Sequence, residues 1–122
     1  MKRALVVDDS RVTRNFLSDV LKGGGFAVTC AVDGGDALEK FFREPFDIVL
    51  TDVNMPVMDG YELVRRIRES GEHDRVPIIM LSTERSEQDR ARGFAAGANL
   101  YLTKPPDPAR VIENVNLLVG GK

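Results

Sequence analysis

Five short apolar runs alternate with five stretches of helical periodicity, and this alternation constrains the fold more than any other feature of the chain. The runs are ALVV (4–7), FAVTCAV (26–32), FDIVL (46–50), VPIIML (76–81) and LYLT (100–103). The first and fourth are continuously apolar, as expected of strands covered on both faces of a parallel sheet. Between the runs lie stripes at helical spacing. Val12, Phe16, Leu17, Val20 and Leu21 mark the first, and Ala37, Leu38, Phe41 and Phe42 the second. Leu63, Val64 and Ile67 mark the third, Ala91, Phe94 and Ala95 the fourth, and Val111, Ile112, Val115 and Leu118 the fifth. Punctuation agrees with this placement. Asp59 with Glu62 reads as a capping box, Ser86 as an N-cap, and Asp107-Pro108 as an N-cap with proline in the first helical position. Gly23 to Gly25 and Gly71 suit helix C-termini.

Strict alternation of strand and helix implies a parallel sheet with helices on both faces. With 122 residues the chain has room for one such domain, residues 1–122. A closed eight-fold barrel, at ~250 residues, is excluded. The expected class is therefore α/β, an open doubly wound (βα)5 sheet. Ligands of such sheets bind beyond the carboxyl ends of the strands.

Those ends are chemically one-sided. The first strand runs into Asp8 and Asp9, the third into Thr51-Asp52, the fourth into Ser82-Thr83 and the fifth into Thr103-Lys104-Pro105. A pair of carboxylates within a few ångströms costs on the order of 1 to 4 kcal/mol, depending on the effective dielectric. Lys104 offsets one of three negative charges, so either a carboxyl stays protonated or a divalent cation fills the gap. Oxygen donors without His or Cys favour Mg²⁺ or Mn²⁺. With Mg²⁺ in place an aspartate can act as a nucleophile toward phosphorus, while the Ser82 hydroxyl and Lys104 ammonium hold the transferred oxygens.

Composition narrows the remaining classes. Lys and Arg are dispersed and the formal charge is −2, which argues against the clustered basic face of a nucleic-acid binder. The single cysteine, Cys30, cannot form an internal disulfide and reads as small core filler on the second strand. No apolar run approaches the ~20 residues of a membrane span, and a soluble cytoplasmic protein is expected. GGG at 23–25 lies on the sheet edge away from the acidic residues and lacks phosphate-loop patterns. His73 falls in a polar turn and is expected to be solvated.

VVDDS, DIVLTDVNMPVMDGYELVRRIR, PIIMLSTE and GANLYLTKP, with the spacings between them, resemble the receiver domain of bacterial two-component response regulators. The similarity runs from Leu5 to the fifth helix and is nearest to the free-standing chemotaxis type. It implies a flavodoxin-like fold with strand order 2-1-3-4-5. It also implies that Asp52 accepts a phosphoryl group from the phospho-histidine of a sensor histidine kinase or phosphotransfer protein. Asp9, Asp52 and the Asn54 carbonyl would ligate Mg²⁺ directly, with Asp8 acting mainly through water. Ser82 and Lys104 would bind the phosphoryl group, Tyr101 would be the aromatic switch, and Lys104-Pro105 would be cis. Asn54, Thr83 and Glu84 occupy positions that tune hydrolysis of the acyl phosphate.

Two positions depart from the family pattern. Thr83 stands where a smaller alanine is frequent, and Pro106 where an aromatic residue often follows the proline. On this reading Ser82 moves toward the phosphoryl group and Tyr101 turns inward into the space it leaves. The face of the fourth helix, fifth strand and fifth helix then changes for a downstream target, such as a flagellar motor component. A monomer is expected, with a dimer on phosphorylation as a further state. Three alternatives stay open: a receiver cut from a larger regulator such as a DNA-binding transcription factor, an aspartyl-phosphate hydrolase, and a degenerate docking module. Adjacent Asp8-Asp9 differs from the D-x-D of the best-known aspartyl phosphatases.

Overall fold

The three central runs form strands buried on both faces by helices, whereas the two edge runs pair on one side only and stay largely half-buried. In the computed structural model, which describes residues 1–71 and 75–120, five strands alternate with five helices. They are β1 (Arg3–Val7), α1 (Arg11–Gly23), β2 (Ala27–Ala31), α2 (Gly34–Arg43) and β3 (Ile48–Asp52), followed by α3 (Gly60–Glu69), β4 (Ile78–Ser82), α4 (Glu87–Ala96), β5 (Leu100–Thr103) and α5 (Pro108–Leu118). All pairings are parallel, in the order β2-β1-β3-β4-β5. This is the doubly wound flavodoxin-like arrangement implied by the sequence. His73 lies outside the described residues.

The period of two along each strand divides the core into two layers. Leu5, Val7, Val49, Ile78 and Met80 meet α2 and α3 through Ala37, Phe41, Leu63, Val64 and Ile67. Ala4, Val6, Ile48, Leu50, Ile79 and Leu81 meet α1 and α5 through Leu17, Leu21, Val111 and Val115. N-caps start the helices where expected: Asp59, Ser86 and Asp107 accept from the amides of Glu62, Asp89 and Arg110. The Asp59 box is only half made, because the Glu62 carboxylate turns to Arg65 and Arg66 instead. Ser10 and Asp33 cap α1 and α2 in the same way.

Three features differ from the sequence expectation. β3 lies two residues later than its apolar run, ending on Asp52 itself. Pairing of Thr51 with Val7 and Met80, and of Asp52 with Leu81, carries the strand through polar residues that hide its end in a hydropathy reading. In α1, Val12 is 79% exposed and Phe16 36%, while Leu17, Ser18 and Leu21 face the core. The stripe expected to anchor α4 is absent: Ala91, Phe94 and Ala95 are exposed, and Gly93 is the buried residue of that helix.

Gly60 shows how closely the first turn of α3 approaches the end of β3. A Cβ there would collide with the Asp52 carbonyl and stand 3.0 Å from both the Met80 methyl and the Val53 Cα. Backbone cannot yield as a side chain does, so Gly60→Ala is expected to lower stability by about 3 kcal/mol. Urea unfolding measures it; a cost below about 0.5 kcal/mol, the size of an ordinary surface change, would contradict this packing.

Candidate functional site

The sheet hydrogen bonds continue one residue past two strands and so fix the acidic site. The Asp8 amide donates to Ala31 O at 3.1 Å beyond β1, and the Lys104 amide to Ser82 O at 2.8 Å beyond β5. Asp8 and Lys104 are thereby held as extensions of the sheet rather than as loop residues. Asp52 is itself the last residue of β3. Ser82 is the last of β4, fully buried and paired with Thr103.

Carboxylate oxygens of Asp8, Asp9 and Asp52 all lie within 4.8 Å of one another. Lys104 reaches between two of them, with Nζ 2.7 Å from Asp8 Oδ2 and 3.2 Å from Asp52 Oδ1. Asp8 is buried, and both of its oxygens are engaged: Oδ2 by Lys104 and Oδ1 by the Ser10 amide at 2.9 Å. Asp9 is exposed at the mouth of the site. Asp52 is buried and its Oδ1 also accepts from the Val53 amide at 2.8 Å.

The charges do not balance. Burial, then the neighbouring Asp8 charge, pushes the Asp52 carboxyl above its ordinary value of 3.8, against the opposing pull of Lys104 and the Val53 N–H. Burial alone would lower Lys104, but its bond to Asp8 and the charges of Asp52 and Asp8 outweigh burial and raise it above 10.5. Lysine therefore stays charged and still leaves an excess of negative charge. An all-oxygen donor set with one exposed carboxylate at its mouth fits Mg²⁺, which binds through few protein carboxylates and keeps several waters.

The other expected residues surround this cluster. Asn54, Thr83 and Glu84 are exposed on the loops that follow β3 and β4. The Ser82 hydroxyl oxygen accepts from the Glu84 amide at 3.0 Å. The Lys104–Pro105 bond is cis. Tyr101 is only 2% exposed, its hydroxyl donating to Glu84 O at 3.0 Å and its ring beneath the Arg90 guanidinium at 5.3 Å. The Tyr101 ring is thus buried in this conformation, where Gly93 leaves it room against α4.

Sequence reasoning missed Arg14, whose Nη1 donates to the Asp8 carbonyl at 2.8 Å and fixes the turn from β1 into α1. Its helical spacing from the Ser10 cap was the available signal. Tyr61 was also missed. It is buried in the first turn of α3, with its hydroxyl donating to Asp89 O at 3.3 Å.

Residues 4–116 match the family described as the response regulator receiver domain. The chain belongs to this family. Receiver domains act in two-component systems, signal by phosphorylation and bind Mg²⁺ in an acidic site. Over 102 residues the chain is 41% identical to a gliding motility regulatory protein of Myxococcus xanthus, covering 84% of this chain and 13% of that protein. Chemotaxis protein CheY4 of Vibrio cholerae is 38% identical, with a TM-score of 0.92 over 97% of this chain and 98% of that one. The receiver domain of a sensor histidine kinase from Pseudomonas aeruginosa, described with a magnesium ion coordinated in its active-site cleft, is 34% identical. Its TM-score is 0.90 over 98% of each chain. Among the described residues, no helix is long and apolar enough to cross a membrane.

Proposed function

We propose that this receiver is a phosphorylation-controlled switch whose phosphoacceptor is Asp52. The carrying observation is the juxtaposition of Asp8, Asp9 and Asp52 with the Lys104 ammonium between Asp8 and Asp52. A carboxylate oxygen of Asp52 attacks the phosphorus of a phospho-histidine on a sensor kinase or phosphotransfer protein. An O–P bond forms as the P–N bond breaks, and the departing imidazole takes up a proton. Bound Mg²⁺ would neutralise charge on the transferred group. Asp9, Asp52 and the Asn54 carbonyl would hold it, while Asp8, with both oxygens occupied, acts through water. Ser82 and Lys104 bind the phosphoryl oxygens. Thr83, Glu84 and Asn54 border the approach of hydrolytic water, and Thr83 narrows it.

On this reading the chain is a single cytoplasmic receiver that turns over no external substrate. It is monomeric, with dimerisation a consequence of phosphorylation, and its α4-β5-α5 face is read by a partner in chemotaxis or another motility system. Its likeness to a chemotaxis protein and to a gliding motility regulator supports that choice. A second reading, a receiver that works within a longer regulator, is favoured by its spanning only 13% of the gliding motility protein.

The test is incubation with acetyl phosphate and Mg²⁺, followed by mapping of the acid-labile label. One phosphoryl group on Asp52, abolished by chelation of Mg²⁺, is expected. Label on another residue, or continuous release of phosphate from unrelated esters, would sink the assignment in favour of the docking or hydrolase alternatives. Mg²⁺ alone should also stabilise the fold, by about 2.7 kcal/mol at a concentration 100 times its Kd. A melting temperature that ignores Mg²⁺ would count against the metal site.

A further inference from the structure

α4 is held to the domain with little apolar burial of its own, since Gly93 is its buried residue and Ala96 is only half-buried against the core. Two tyrosines supply the attachment. Tyr101 of β5 packs against Gly93, where a Cβ would stand 3.0 Å from the ring and 3.1 Å from Met80 Sδ. Arg90 of α4 covers the Tyr101 ring and donates through Nη2 to the Tyr101 carbonyl at 3.3 Å. Tyr61 of α3 makes the matching attachment on the other flank. Arg92 of α4 lies over its ring at 4.1 Å, and its hydroxyl bonds the Asp89 carbonyl in the first turn of α4. Burial, then the nearby Tyr101 hydroxyl and the Asp89 charge, pushes the Tyr61 phenol up to about 12, so the hydroxyl keeps its proton and remains a donor.

Tyr101 is wired to the site through the β4–α4 loop, and Tyr61 meets the helix that this loop leads into. Ser82 Oγ is bonded to the Glu84 amide, and Glu84 O accepts from Tyr101. A shift of Ser82 toward Asp52 either draws the Glu84 segment along or breaks that bond. Both move the loop, which two residues later becomes Ser86, the N-cap of α4. Any tie between α4 and α3 resists that movement.

We propose that Tyr61, together with Arg92, is a latch that holds α4 against α3 in the unphosphorylated chain and thereby opposes phosphoryl binding at Asp52. The proposal rests on Asp52 being the phosphoacceptor. Coupling is reciprocal: whatever the phosphoryl group must overcome in displacing α4 appears as lost affinity at the site. Loss of the Tyr61 hydroxyl bond should therefore tighten phosphoryl binding about threefold to tenfold, the equivalent of one hydrogen bond. Tyr61→Phe keeps the ring and removes only the donor; Arg92→Met removes the guanidinium and keeps much of the stem.

The probe is beryllium fluoride with Mg²⁺, a non-covalent phosphoryl mimic, titrated against wild type and both variants, with amide hydrogen exchange of α4 measured in parallel. Tighter binding by both variants, with faster exchange in α4 before ligand is added, is the expected result. A purely structural tyrosine would lower the melting temperature and leave affinity unchanged. Unchanged or weaker binding by Tyr61→Phe overturns the latch while leaving the phosphoacceptor reading intact. Failure of the wild type itself to bind the mimic overturns both.

Discussion

Asp52→Asn is expected to abolish labelling by acetyl phosphate, by on the order of 10³-fold or more, because the amide offers no nucleophilic carboxylate. In Mg²⁺-free buffer at neutral pH the same substitution should raise stability by about 1 to 2 kcal/mol, by removing a buried ionised carboxyl and then its repulsion with Asp8. The sign follows from linkage. Asp52 titrates above 3.8 in the folded chain, so the folded state binds its proton more tightly than the unfolded state does. Wild-type stability therefore falls as pH rises from 3.8 through the raised value. The asparagine side chain does not titrate, so the gap between variant and wild type opens over that interval and stays constant above it. Its amide oxygen can keep the bond from the Val53 N–H. Saturating Mg²⁺ should then favour the wild type and close or reverse the gap. Because the chain lacks tryptophan, far-UV circular dichroism in urea is the suitable readout. A variant less stable than wild type at neutral pH without Mg²⁺ would refute the electrostatic account.

The architecture was legible because burial writes itself into the sequence as period. Val49, Leu50, Ile78 and Ile79 are fully buried on both faces of the sheet, and their runs show it. The acidic residues were legible for the opposite reason, since carboxylates at strand ends conflict with burial unless something compensates. Sequence pattern failed where a backbone approach or a polar residue carries the packing. Gly93 lets α4 pack with almost no apolar face, so its exposed Phe94 and alanines mimicked a core stripe. Thr51 and Asp52 extend β3 through hydrogen-bonded register rather than hydrophobicity. The Tyr61–Arg92 stack joins α3 to α4 across residues far apart in sequence, which no local periodicity reports.

Removing the lysine should do the most damage to the fold. Lys104 is the ammonium that meets both Asp8, with a side chain 1% exposed, and Asp52, at 10%. Lys104→Met leaves two buried carboxylates facing each other, and taking one partner from a buried pair costs about 3 to 5 kcal/mol. The deficit should shrink on acidification, because protonating Asp52 removes one of the opposed charges. It should shrink also with Mg²⁺, since the cation supplies part of the missing charge. Lys104 itself titrates above 10.5, so the stability it confers is fully present below 10.5 and is lost only as pH rises through its raised value. Wild type therefore shows no loss from this group at neutral pH. Phosphoryl transfer should slow by about 10²- to 10³-fold, the scale of losing one preorganised donor to the transferred oxygens. Lys104→Arg separates the two effects: it restores charge, and so most of the stability, but a planar fork replaces the compact ammonium between Asp8 and Asp52. A methionine variant as stable as wild type at neutral pH without Mg²⁺ would show that Asp8 and Asp52 tolerate each other unaided, and the physical case for a cation at this site would fall with it.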